Sequence, residues 1–242
     1  MMRPIRLFAV FLHELGHTAM VLLFGGKVQS FQINLDESGY VLSISRGGFA
    51  SFMIASGGYL GGVLLSILIL WLGNKYGGKY VLGVTAIVFI TVAVVFSGVS
   101  ITLLYATFFA VIVLLIFMLK NAGIENAALE IIGVGALMYG IYDTFVDTIL
   151  FELNKLFHFA SAWTGKAIVT DAVHLANITK IPAILWGCIW FLISILVVYK
   201  FLTDVKSGGT NKIKSAVGGN VFPSGASRTK SVGVDRTIRR SR

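Results

Sequence analysis

His13 and His17 stand four residues apart, with Glu14 between them, in a stretch otherwise made mostly of Leu, Phe, Val and Ala. On a helix that spacing stacks two imidazoles on one face, where both can direct a ring nitrogen at the same ion. Glu14 is turned by about 100° from His13, which lets it reach water at the ion without being a ligand. The chemistry this pattern suits is hydrolysis. A metal brings the pKa of water toward neutrality, and the glutamate takes the proton and passes it to a leaving amine. A His-Glu-His cluster is expensive to bury without partners, and ionisable groups inside membrane spans are functional by default.

Catalytic zinc takes three protein ligands and keeps one position open. The single cysteine, Cys188, lies in an apolar run and has no partner, so disulfides and thiolate metal sites are excluded. The third donor is then a carboxylate or another histidine. Glu125 and Glu130 fall at an expected helix end, Asp36 and Glu37 in a turn, and Asp204 and Asp235 at or in the C-terminal stretch. Asp143, Asp147, Glu152 and Asp171 remain. Asp143 and Asp147 are four apart, on one face of an apolar segment. At 1.5 Å per residue, His13 and His17 lie roughly 13 to 20 Å along their span and Asp143 roughly 18 to 20 Å along its own, so depth favours Asp143. The depth of Asp171 is not fixed by its sequence context.

The elements that must hold these groups are membrane helices. The chain has 242 residues, of which 56% are hydrophobic and 13% charged, and its mean hydropathy is +0.85. Soluble domains carry about 25% charged residues. Six stretches are long and apolar enough to span a bilayer: 5–24, 49–72, 80–96, 100–119, 131–153 and 181–202. Arg3 and Arg6 precede the first as in a signal peptide, but its mid-segment His, Glu and His and the lack of a small-residue cleavage site mark it as a retained helix. Residues 27–48 alternate apolar and polar on either side of Asp36-Glu37-Ser38-Gly39, which predicts a β-hairpin. Residues 154–180 form a more polar, membrane-associated loop, with a short helix capped by Thr170 or Asp171.

The expected organisation is an all-α polytopic membrane domain over 1–203, with a hairpin after its first helix, and a basic, disordered tail over 204–242. The net charge of +9 argues little for nucleic acid, because nine basic residues follow Phe201 in the Gly- and Ser-rich tail, where they suit a cytosolic segment near anionic lipid. With a cytosolic N-terminus, alternation through six spans puts fifteen Lys and Arg inside and five outside. That count favours both ends in the cytosol and places the hairpin outside.

The motif in the first helix is followed by Phe24-Gly25-Gly26-Lys27-Val28, the hairpin, and Ser56-Gly57-Gly58-Tyr59-Leu60-Gly61-Gly62. Further on come Thr170-Asp171-Ala172, Leu175-Ala176, Pro182-Ala183, Trp186 and Trp190. This ordered set resembles the site-2 protease family of intramembrane zinc metallopeptidases, in its compact B-type branch, from about Phe8 to about Ser194. Thr170 stands where that branch usually has Ser. The resemblance implies one catalytic Zn2+, a transmembrane protein substrate in the lipid bilayer, and an aspartate third ligand, which it places at Asp171; Asp143 stays the alternative on the depth argument. Asp147 and His174 are then supporting residues, His174 sharing a helical face with Asp171. Family members place the hairpin toward the cytosol, against the charge count. A metal-binding transporter, or a chaperone-like relative that binds helices without cutting, is the competing function. Glu14 argues against it, since binding alone needs no general base. Oligomeric state, substrate identity and regulation are not legible.

Overall fold

The structure, a computed structural model, describes residues 3–45, 47–98, 101–157 and 170–218. Its elements are α1 (Arg3–Leu23), β1 (Lys27–Ile33), β2 (Gly39–Ile44), α2 (Gly48–Tyr76), α3 (Gly78–Val92), α4 (Ile101–Met118), α5 (Ala122–Thr144), α6 (Phe151–Phe157), α7 (Asp171–Thr179) and α8 (Ala183–Gly218). A π-helical turn, Ala93–Ser97, extends α3, and another, Phe145–Leu150, joins α5 to α6. Six helical stretches are long and apolar enough to cross a membrane, so the chain is an all-α membrane protein with one two-stranded hairpin.

Helix α1 is gripped by α2 through glycine. A Cβ on Gly16 would run into the Gly57 carbonyl oxygen and stand 3.3 Å from the Gly61 Cα. The two backbones therefore meet without side chains between them, as small residues allow where lipid provides no hydrophobic drive for helix association. The opposite flank of α1 is aromatic. Phe11 stacks on Phe89 of α3 at 3.6 Å between ring centroids, and Phe8 packs on Phe89 and on Phe109 of α4.

The expected hairpin between the first two spans is present and packs back along α1. Gly26 donates its N–H to Val21 at the end of α1, and from there the strands run back beside that helix. Phe31 is fully buried against Phe11, the Ile33 N–H donates to Thr102 Oγ1 of α4 at 2.8 Å, and Gly39 abuts Glu14 and Val10. The turn reaches the beginning of α1, where Arg6 Nη1 meets Glu37 Oε2 at 2.7 Å and Arg3 lies 3.7 Å from the same carboxylate. A hairpin that folds back along a membrane-crossing helix has its strand ends toward one side of the bilayer and its turn toward the other.

The fifth span differs. It starts at Ala122 rather than at 131, because the Asn121 side chain accepts from the Gly123 and Ile124 N–H groups at 2.9 and 3.3 Å and caps the helix there. Glu125 and Glu130 consequently lie within the helix. With the π-helical turn and α6 the stretch reaches Lys155, 34 residues in all. Counted from Ala122, Asp143 is about 31 Å along its helix, which removes the depth agreement that favoured it as a ligand.

By packing, the chain divides into two compact units, Met1–Phe201 and Leu202–Arg242. In the second, α8 continues to Gly218, into the stretch expected as a tail from 204. Residues 219–242, the rest of that expected tail, and 158–169, the middle of the expected 154–180 loop, lie outside the described residues.

Candidate metal centre

α1 turns His13, Glu14 and His17 toward α2, the hairpin and α7. Helix α7 owes its place to a cap and a buried face. Thr170 Oγ1 accepts from the Val173 N–H, as the sequence suggested. Ala172 and Leu175 are fully buried in a cluster with Ala55 and Tyr59 of α2 and Trp190 of α8. The Trp186 indole N–H donates to Thr179 Oγ1 at 3.0 Å, tying the end of α7 to α8. Docked this way, α7 sets its first residue against the imidazoles of α1.

Three ligand atoms converge there. His13 Nε2 and His17 Nε2 are 3.1 Å apart, and Asp171 Oδ2 lies 3.3 Å from the first and 3.2 Å from the second. His17 Nδ1 sits 2.7 Å from the Ile54 carbonyl. A carbonyl only accepts, so Nδ1 carries the proton and the Nε2 lone pair faces the cluster. Among the described residues, these three form a group that could hold a metal ion.

The cluster opens into a cavity of about 770 Å3 bounded by α1, β2, α2, α5 and α7. Glu14 is 5% exposed and faces it, with Gly39 so close that a Cβ would come within 2.8 Å of the Glu14 Oε1. Asp143, Asp147 and His174 line the same cavity but are not part of the converging group. The structure thus brings every residue expected at the site around one space, and it is Asp171 rather than Asp143 that meets the imidazoles.

With the geometry in view, comparison with known proteins is specific. The Peptidase M50B-like family matches residues 1–201. The chain belongs to that family. It is the site-2 protease family, and the B-type character of the motifs is consistent with it. No curated protein and no solved structure matches the chain.

The family is a group of zinc metallopeptidases, and the donor set fits such an ion. Two imidazole nitrogens and one carboxylate oxygen form a borderline-hard set suited to zinc. Ligands at about 2.0 to 2.1 Å on a tetrahedron are separated by roughly 3.3 Å. The observed separations of 3.1 to 3.3 Å match that spacing.

Three contributors to this site escaped the sequence reading. The Ile54 carbonyl orients His17, and no residue type announces a backbone acceptor. Gly39 makes room over Glu14. Gly58, noted in the sequence only as part of the motif from Ser56 to Gly62, leaves room for both imidazoles: a Cβ there would lie 2.6 Å from His13 Nε2 and would collide with His17 Nε2. Gly58→Ala is therefore expected to weaken zinc binding by about 10- to 100-fold, the scale of a displaced second shell, in a chelator-competition titration. An unchanged affinity would show that the imidazoles have slack to retreat.

Proposed function

We propose that the protein is an intramembrane zinc-dependent endopeptidase that hydrolyses peptide bonds of membrane-embedded protein segments. In this reading His13, His17 and Asp171 hold the ion, and Glu14 is the general base and then the general acid. The observation that carries it is the three-donor triangle beside a buried glutamate on the wall of a cavity that also exposes a strand edge.

Zinc bound there supplies a Lewis acid for the scissile carbonyl and makes water acidic enough to ionise near neutrality. The chain's own groups do the rest. Ile54 and the α1–α2 crossing fix His17, α7 brings Asp171, and Glu14 accepts the proton of the attacking water and returns it to the leaving nitrogen. Gly39 and Val10 press on Glu14, which restricts the positions its carboxylate can adopt.

A substrate helix shields its peptide bonds by its own hydrogen bonds and has to unwind before it can be cut. Strand β2 offers the extended segment a partner. Only β1 pairs with it among the described residues, its residues 39–43 line the catalytic cavity, and its first residue lies against Glu14. Pairing along this edge would satisfy the substrate's exposed amides and bring them past the general base.

A proline scan through Tyr40, Val41, Leu42 and Ser43 tests the edge. In a strand, alternate N–H groups face opposite neighbours. At every second position proline is expected to preserve zinc and hairpin packing while turnover of a membrane-helix substrate in proteoliposomes falls about tenfold or more, as a lost ladder hydrogen bond on the substrate side predicts. Wild-type turnover at all four positions would remove β2 from substrate binding.

A further inference from the structure

We infer that Tyr59 donates the hydrogen bond that stabilises the carbonyl oxygen of the scissile bond as it becomes an oxyanion; this rests on the proteolytic reading above. Tyr59 belongs to α2, next to Gly58, and is 5% exposed. Its ring is clamped on two sides. It meets the His13 imidazole edge-on at 4.6 Å between centroids and 79° between planes, and it packs on Trp190 of α8 at 5.5 Å. A ring held that way presents its hydroxyl with little conformational freedom left to lose.

The hydroxyl is what sets this residue apart. A tyrosine joins an apolar ring to a polar O–H donor, and the ring of Tyr59 is the part these contacts hold. It lies on the wall of the catalytic cavity, in electrostatic reach of Asp147, Asp171, Asp143 and Glu14. Of the other donors around the same space, Arg6 Nη1 donates to Glu37, Ser38 to Asp36, and Ser45 and Ser51 share a hydrogen bond, while Tyr40, Ser43, Thr170 and His174 also bring donors to the wall. Among the described residues with ring contacts, Tyr59 is the cavity donor that packs directly on one of the three metal-site residues.

The step it serves is balanced within the site. Water oxygen adds to the carbonyl carbon, the C=O π pair moves onto oxygen, and Glu14 takes one water proton. The Tyr59 O–H hydrogen-bonds to the new oxyanion and keeps its own proton. On collapse the pair returns, the C–N bond breaks, the nitrogen takes the proton from Glu14 and the remaining hydrogen of the added water, and a carboxylate and an ammonium leave. Oxyanion donors act where charge develops, so removing one lowers the rate of the chemical step and leaves substrate binding nearly unchanged.

Tyr59→Phe isolates the hydroxyl, since the ring and its packing on His13 and Trp190 are kept. In zinc-loaded full-length protein reconstituted in proteoliposomes, kcat on a membrane-helix substrate is expected to fall about 10²- to 10³-fold with KM within about twofold and zinc stoichiometry unchanged. A phosphinic peptide analogue, whose P–O− imitates the oxyanion, is expected to lose affinity by the factor that kcat/KM loses. A kcat within about threefold of wild type, an unchanged affinity for the phosphinate, or zinc lost together with turnover would each overturn the inference, the last by making Tyr59 a support for His13. So would a loss of this kind in His174→Gln instead. Glu14→Gln is measured in parallel. If it is inactive while Tyr59→Phe is fully active, this inference alone fails; if both turn over like wild type, the Glu14 mechanism fails with it; and if wild-type protein cuts no membrane-helix substrate, the proteolytic reading fails.

Discussion

Glu14→Gln is expected to keep stoichiometric zinc and to lose hydrolysis by about 10²- to 10⁴-fold, the range spanned by general acid–base catalysis. The change is close to isosteric, which matters because Glu14 is buried with Gly39 directly against its carboxylate. It takes no ligand from the group formed by His13, His17 and Asp171. The substituted amide can still hydrogen-bond to water but cannot take its proton, so the loss falls on kcat and the metal content is a built-in control. Metal analysis with a cleavage assay on a membrane-helix substrate reads both. Turnover retained in a zinc-loaded Gln variant would refute the assigned mechanism.

Asp171→Asn is expected to lower zinc affinity by more than the roughly 10- to 100-fold that second-shell changes cost. An amide oxygen is a far poorer donor than a carboxylate, and the charge that balances the ion is lost. The fold around it should survive, because α7 is held by its buried Ala172 and Leu175 and by the bond from Trp186 to Thr179. Asp143→Asn is the matched control. It removes a carboxylate from the same cavity wall but from outside the converging group, and zinc affinity should stay within about threefold of wild type. The opposite result, zinc lost with Asp143 and kept with Asp171, would move the third ligand to α5.

How much of this was legible depended on whether the signal was local. The pair His13 and His17 and the base Glu14 are fixed by the helical period, and the period is written in the chain. So are the hairpin turn and the Thr170 cap. Asp171 was within reach through its motif context, whereas the depth estimate for Asp143 failed because it assumed a helix start at 131. The Asn121 cap had moved that start to Ala122, and a polar residue amid small ones gave a weak boundary in the sequence. The re-entrant path of the hairpin was invisible for another reason. Alternation in β1 and β2 tells which residues share a face, but that Phe31 finds Phe11 and Glu37 finds Arg6 is decided by tertiary packing over distances that no periodicity records.

Strand β2 imposes a condition on the surrounding bilayer. In hydrocarbon each unsatisfied backbone amide costs several kcal/mol, so a row of them facing an oily cleft at the depth of Glu14 would unfold the hairpin or draw lipid headgroups inward. The edge is tolerable at rest only if its cavity is hydrated. On the proteolytic reading proposed above, residues 39–43 would act as a wick that keeps reactant water at hand inside the membrane, and a substrate strand settling there would dry the cleft as it binds.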